Sequence, residues 1–298
     1  MKQDNVAANT AAGLAAILFG VSVVAVRIAV RDIPPLTLAL LRFGQGSFVL
    51  FIALAAFRRD LFRIDRRDLP YLGLLGVVFF AVFPVTFNAG MRYVDASHGA
   101  LLLATMPLWT LILARFVARE RLSARQLIGV LTSMVGVVFV MADRTAAGTG
   151  ASNSLKGNLL LIATAICGAT YNVLAKRMLS RYSGLTVTFY AMLIGTIFLA
   201  PAPFVEAAPR LDALGAETLV MVAFLGVFGA ALSFSLWTAA LQRLSPTQVA
   251  VYINLNPISA TLLAAVMLHE HLSVNFVLGF LAVASGVMIV NWTRSTNS

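Results

Sequence analysis

Two pentapeptides 150 positions apart, Arg119–Ser123 (RERLS) and His269–Ser273 (HEHLS), decide how this chain is organised. Glu, Leu and Ser are kept, and both arginines become histidines. The same shift lays Leu75-Gly76-Val77 on Leu225-Gly226-Val227, Pro107 on Pro257, Gly129 on Gly279 and Gly136-Val137 on Gly286-Val287, with no gap. Compositional likeness between apolar segments accounts for scattered Leu and Val matches. It does not account for a register held across Pro, Glu, Ser and two glycine positions. The sequence reads as an internal duplication, with one repeat over 1–145 and a second over 146–298.

The repeated unit is a set of membrane helices. Of the 298 residues, 60% are hydrophobic and 11% charged, against about 45–50% and 25% in soluble domains. Apolar runs near the ~20 residues that cross a bilayer recur over 8–30, 36–57, 69–91, 96–118, 123–142, 155–178, 185–204, 217–241, 247–268 and 273–292. An unsatisfied backbone group in hydrocarbon is too costly for an open strand, so these runs must be helices. The fold expected is an all-α polytopic membrane protein with ten transmembrane helices. The first run carries Asp4 just ahead of it and is longer than a signal-peptide core, so it reads as helix 1 rather than a cleaved leader. Cys167 is the single cysteine, which removes disulfides and Cys-based metal sites.

Five helices per repeat is an odd number, so the second copy enters the membrane from the opposite side and the repeats are inverted. With a cytoplasmic N-terminus, fifteen basic residues fall inside (Lys2, Arg58, Arg59, Arg63, Arg66, Arg67, Arg115, Arg119, Arg121, Arg125, Lys176, Arg177, Arg181, Arg243, Arg294) and five outside (Arg31, Arg92, Arg144, Lys156, Arg210). The positive-inside rule then puts both termini in the cytoplasm, as in a bacterial inner-membrane protein. It also explains the pentapeptides. Arginine suits the inner turn, whereas its outward copy is better served by histidine, mostly neutral near pH 7. The net charge of +10 is thus a topology signal spread over short loops, and not the solvated basic face that nucleic acid requires.

Inverted halves favour alternating access around a site near mid-membrane between the repeats. Pro107 and Pro257 sit at the centres of helices 4 and 9. Each frees a carbonyl one turn back, near Leu103 and Ile253; they form either a matched pair of hinges or two packed kinks. The candidate substrate contacts are polar and aromatic side chains at membrane depth. Tyr252 and Asn256 share a face of helix 9, with Asn254 on another. Phe79, Phe83 and Phe87 form a stripe in helix 3, read first as packing or lipid contact, with Asn88 beside it. Helix 6 offers Tyr171 and Asn172, helix 8 Ser233, Ser235 and Trp237, and helix 4 His98 and Trp109. Each amide needs a partner, which a neighbouring helix or a hydrated cavity can supply. Arg42 in helix 2 either pairs with a substrate carboxylate or, the favoured reading, snorkels to the interface. Lys176 with Arg177 reads as an inner anchor.

Each half has a Pro-containing fourth helix, an R/H-E-R/H-L-S turn and a Gly-x6-Gly fifth helix (Gly129 and Gly136, Gly279 and Gly286). With FGVSVVAVRIAV, PPLTLALLRF and SPTQVAVYINLNPISATLLA, this pattern resembles the EamA branch of the drug/metabolite transporter superfamily, from Gly13 to Val290. Phe19 and Cys167 stand where many members carry tryptophan. The resemblance implies a metabolite exporter; within the branch, length and aromatic content are similar to amino-acid exporters, including the YddG type for aromatic amino acids.

All twelve acidic residues fall in loops, tails or helix ends. Embedded carboxylates are the usual parts of proton relays and organic-cation sites. Their placement points to gradient-driven movement of neutral or zwitterionic solutes. An enzyme is not expected: the three histidines form no HExxH motif, and no Gly-x-Ser-x-Gly or phosphate loop occurs. His269 and His271 at i and i+2 point apart, so no metal is expected, nor any cofactor. The partners expected are a small-molecule substrate and membrane lipid, and a monomer is the simplest assembly. A lipid or polyprenyl-carrier translocase on the same fold is the alternative, and a non-transporting scaffold a third reading.

Overall fold

A computed structural model describes residues 2–94, 96–120, 123–145, 154–206, 215–268 and 274–292, with backbone alone at 2–4, 27, 96–98, 141–145 and 264–268. Regular structure among them is entirely helical. The α-helices are α1 (Lys2–Ala29), α2 (Pro35–Phe57), α3 (Leu69–Gly76), α4 (Phe83–Met91), α5 (Ala96–Leu103), α6 (Met106–Phe116), α7 (Ala124–Thr145), α8 (Leu155–Leu179), α9 (Gly184–Leu199), α10 (Ala202–Val205), α11 (Ala216–Gly226), α12 (Ser233–Arg243), α13 (Pro246–Ala250), α14 (Leu255–Leu268) and α15 (Val274–Asn291). Among the described residues, eight helical stretches are long and apolar enough to cross a membrane, and Ala124–Val140 is a shorter apolar one. Large apolar side chains such as Phe51, Val138, Ile197 and Met288 are exposed on the outer faces. A lipid environment, not water, accounts for that many of them. The chain is a multi-pass membrane protein.

Several of the expected spans are interrupted rather than straight. The third runs α3, a π-helical turn over Val77–Val82, then α4; the eighth runs α11, a π turn over Val227–Leu232, then α12. Pro84 gives a reason for the first. Its ring would clash with the carbonyl four residues back, and a π turn relaxes that contact. The two turns lie 150 positions apart. The fourth span breaks at Ala104–Thr105, and the ninth passes through a 3-10 turn, Val251–Asn254. Each break meets the residue four before Pro107 or Pro257, where a proline ends the regular hydrogen-bond ladder. The seventh span stops at Leu199, and α10 follows Pro201.

Helix ends are closed by identifiable groups. Ser154 and Ser183 accept N–H bonds from Gly157 and Thr186, and Ser245 with Gln248 forms a capping box on α13. The Glu206 carboxylate reaches α2 from 170 residues away, accepting from Leu36 N, Thr37 N and Thr37 Oγ1 at 3.1, 2.8 and 3.1 Å. A carboxylate there satisfies orphan donors and suits the positive end of the helix dipole. Lys176 Nζ donates to Leu241 O (2.6 Å) and Leu244 O (2.7 Å) at the end of α12, so the expected anchor also ties α8 to α12. Asp68 accepts from Arg181 Nη1 at 3.1 Å and from Tyr182 Oη at 2.7 Å. In the first pentapeptide, Arg119 has φ 54 and the Glu120 N–H donates to Ala114 O at 3.1 Å. Burial pushes the Glu120 carboxyl up, and nearby Lys176 pulls it back. The second pentapeptide lies outside the described residues.

The helices meet backbone to backbone at glycines. A Cβ on Gly129 would stand 2.8 Å from Gly286 O, and one on Gly136 would stand 2.7 Å from Gly279 O. The lower number in α7 faces the higher in α15, so these two helices cross antiparallel. Gly195 of α9 packs on Gly76 of α3, and Gly46 of α2 on Gly226 of α11. Contacts this close leave no room for a side chain, so Gly136→Val should lower the detergent melting temperature, at a cost of about 1–3 kcal/mol. Gly44→Ala, whose new methyl would sit 3.6 Å from Thr196 Cγ2, should change it little. Thermal unfolding of the two variants checks the contrast; equal effects would contradict the packing.

Candidate functional site

Rings from both halves of the chain gather at the centre. Phe79 meets Tyr171 at 4.7 Å, Phe83 at 4.8 Å and Phe234 at 5.4 Å between ring centroids. Phe234 meets Phe19 at 4.8 Å and Phe80 at 4.9 Å, and Phe19 meets Trp237 at 5.7 Å. Tyr171 and Trp237 are buried. α1, the Val77–Val82 π turn, α4, α8 and α12 therefore each contribute to one ring cluster, its polar edge supplied by α8 and α12.

On that edge Trp237 Nε1 donates to Asn172 Oδ1 at 2.9 Å. Tyr171 Oη and Asn172 Nδ2 are buried without a hydrogen-bond partner. Buried polar groups are paired in the large majority of cases, which makes these two orphan donors on consecutive residues of α8 candidates to receive acceptors.

Of the sequence candidates, Phe79, Phe83, Tyr171, Asn172 and Trp237 come together here. Phe87 continues the stripe, stacked on Phe83 at 6.4 Å. Trp109 adjoins through a small cluster with Met106, Phe83 and Ile253, its Nε1 donating to Thr105 Oγ1 at 3.1 Å. Asn88 is half-buried on α4. Tyr252 lies elsewhere, packed over Gly13 of α1, with its Oη donating to Asn9 Oδ1 at 2.8 Å. Asn256 presses its backbone on Gly20 and keeps a buried, unpartnered Oδ1. Asn254 is a packing amide, its Nδ2 donating to Ser133 Oγ of α7 at 2.8 Å. Ser233 and Ser235 bond to carbonyls of their own helix, Phe228 and Ala231. The side chain of His98 lies outside the described residues.

Of the packing or lipid contact expected for the Phe stripe, Phe79 and Phe83 make packing, against other rings. One reading needs correction. Arg42 does not snorkel: its Nη2 donates to Gly229 O at 2.5 Å, in the π turn at the middle of the 216–243 span. Phe43, Phe80 and Phe234 escaped the sequence reading; Phe43 stands 5.2 Å from Phe80. Nothing in their local patterns separates them from other buried phenylalanines.

The profile of the EamA-like transporter family matches residues 7–142 and again residues 155–292. The chain belongs to that family. It is 30% identical over 254 residues to a probable terminal-alkyne amino-acid exporter of Streptantibioticus cattleyicolor, covering 85% of this chain and 83% of that one. A probable amino-acid metabolite efflux pump of Salmonella typhimurium is 26% identical, covering 93% and 92%, and an Archaeoglobus fulgidus transporter is 27% identical, covering 91% and 94%. A crystal structure of another protein, 20% identical, shares the fold with a TM-score of 0.80 over 94% of this chain and 95% of that one. This EamA-like protein is a transporter, not an enzyme.

The Trp237–Asn172 pair can be tested for coupling. Trp237→Phe keeps the ring but strands Asn172 Oδ1, and should destabilise by about 1–3 kcal/mol. Adding Asn172→Leu should recover part of that, giving a coupling energy of about 0.5–3 kcal/mol in a double-mutant cycle. Strict additivity would show that the hydrogen bond contributes nothing.

Proposed function

We propose that this EamA-like transporter exports small neutral or zwitterionic metabolites across a bacterial inner membrane, foremost amino acids with aromatic or aliphatic side chains. The observation that carries this reading is the central ring cluster with the orphan donors of Tyr171 and Asn172 on its edge. An apolar wall with a few convergent polar groups suits solutes that have one apolar end and one polar end. The printed names of two relatives, both amino-acid exporters or efflux pumps, favour the same class.

The mechanism proposed is alternating access between two five-helix halves, 1–145 and 146–298, lying inverted with both termini in the cytoplasm. The eight membrane-length stretches and the shorter Ala124–Val140 among the described residues, the π turns 150 positions apart and the antiparallel α7–α15 crossing support it. Pro107 and Pro257 stand next to the two breaks and serve as hinges. The carboxylates described in the fold, Asp32, Asp68, Glu120 and Glu206 among them, lie at helix ends and not between the helices, so movement down the solute's own gradient is the coupling expected.

Counterflow in proteoliposomes over the amino acids tests the reading directly. Tyr171→Phe should cut the rate about tenfold or more while yield holds, Asn172→Ala should cut it as far with a loss of stability because it strands Trp237 Nε1, and Pro107→Ala or Pro257→Ala should slow transport without loss of folded protein. Lipid headgroup movement with no solute flux would instead identify a translocase, and uphill uptake on a pH gradient alone would refute gradient-driven export. In a Cys167→Ser background, single cysteines at Ser123 and Ser273 should label from opposite faces of the membrane; labelling from one face would end the inverted arrangement.

A further inference from the structure

Arg42 carries more than the fold asks of it. The first turn of α2 is already closed by Glu206, so the guanidinium is not needed there. It turns toward mid-membrane instead, where Nη2 meets Gly229 O at 2.5 Å and Cζ stands 5.4 Å from the Phe43 ring centroid. Phe43 leads into the central rings, 5.2 Å from Phe80 and 6.2 Å from Phe234.

A guanidinium presents five N–H donors in a fork that matches a carboxylate. Nε of Arg42 is buried with no partner. Among the described residues no carboxylate forms an ion pair with Arg42; Asp32 accepts from Thr218, and Glu206 is taken by α2. A buried charge is stable only when paired and fully hydrogen-bonded. One carbonyl leaves this one short of an anion.

Resting on the reading of the chain as an exporter of small zwitterionic solutes, we propose that Arg42 anchors the carboxylate of the transported solute, with Phe43, Phe80 and Phe234 taking its apolar side chain. A single guanidinium neutralises one negative charge, which fits a monocarboxylate and disfavours phosphorylated or dicarboxylate cargo. The anchor selects amino acids over the corresponding amines and amides.

The test compares L-leucine and L-phenylalanine with their carboxamides in proteoliposomes. Against labelled-leucine counterflow, the unlabelled acids should compete at least tenfold better than the amides with the wild-type protein. Arg42→Gln should raise the KM for leucine at least tenfold and erase the acid-over-amide preference. Arg42→Lys should restore part of the preference. Wild-type competition indifferent to the carboxylate overturns the anchor even if Arg42→Gln fails to fold. So does an Arg42→Gln protein whose KM and preference are unchanged, or one that loses flux of acids and amides alike. Absence of any wild-type amino-acid counterflow is a different outcome, which brings down the exporter reading itself and the anchor with it.

Discussion

Helices in a bilayer gain nothing from hiding apolar faces from one another, because lipid is as apolar as they are. Association rests on close van der Waals packing and on polar contacts between helices. In this molecule glycine meets glycine at four helix crossings: Gly129 with Gly286, Gly136 with Gly279, Gly76 with Gly195 and Gly46 with Gly226. All four join the first half of the chain to the second. They bring α7 against α15 and set α2 and α3 against α9 and α11, which leaves the remaining helices to surround a centre where rings from the Val77–Val82 π turn, α8 and α12 can meet. The glycine positions thus set how near the halves come, and the side chains between them line the centre.

That arrangement also explains what the sequence made legible. The duplication could be read because prolines and glycines hold their register across 150 positions, and such residues serve backbone geometry that both copies need. The breaks near Leu103 and Ile253 followed from Pro107 and Pro257 for the same reason. The π turns could not be read. VVFFAV and VFGAAL share no local signature, and an extra residue within a turn is settled by how neighbouring helices pack. Drawing Phe79, Phe83 and Phe87 on a straight helix gave a stripe, yet Phe79 lies inside the π turn and joins rings from α8 and α12. Phe43, Phe80 and Phe234 are far apart in sequence, so only the tertiary fold shows that they adjoin. Tyr252 and Asn256 share a helical face as expected, but that face meets α1 rather than the central rings.

Arg42 shows most clearly where a duplicated scaffold stops dictating function. A shift of 149 lays Leu36-Thr37 on Leu185-Thr186 and Gly46 on Gly195, and the paired glycines occupy matching crossings. Under that shift Arg42 falls on Ala191, a buried residue against Gly76. At this position one copy has a cation that reaches the π turn at Gly229, and the other has an alanine whose backbone carbonyl stands against Gly76, just before the first π turn. If the guanidinium merely stabilised a π turn, the turn at Val77–Val82 would want the same device, and it forms without one. The charge is therefore a feature of the second π turn's surroundings and not of π turns in general. Its asymmetry places a cation beside the aromatic centre, which is what the proposed carboxylate anchor requires to hold a zwitterion in one orientation.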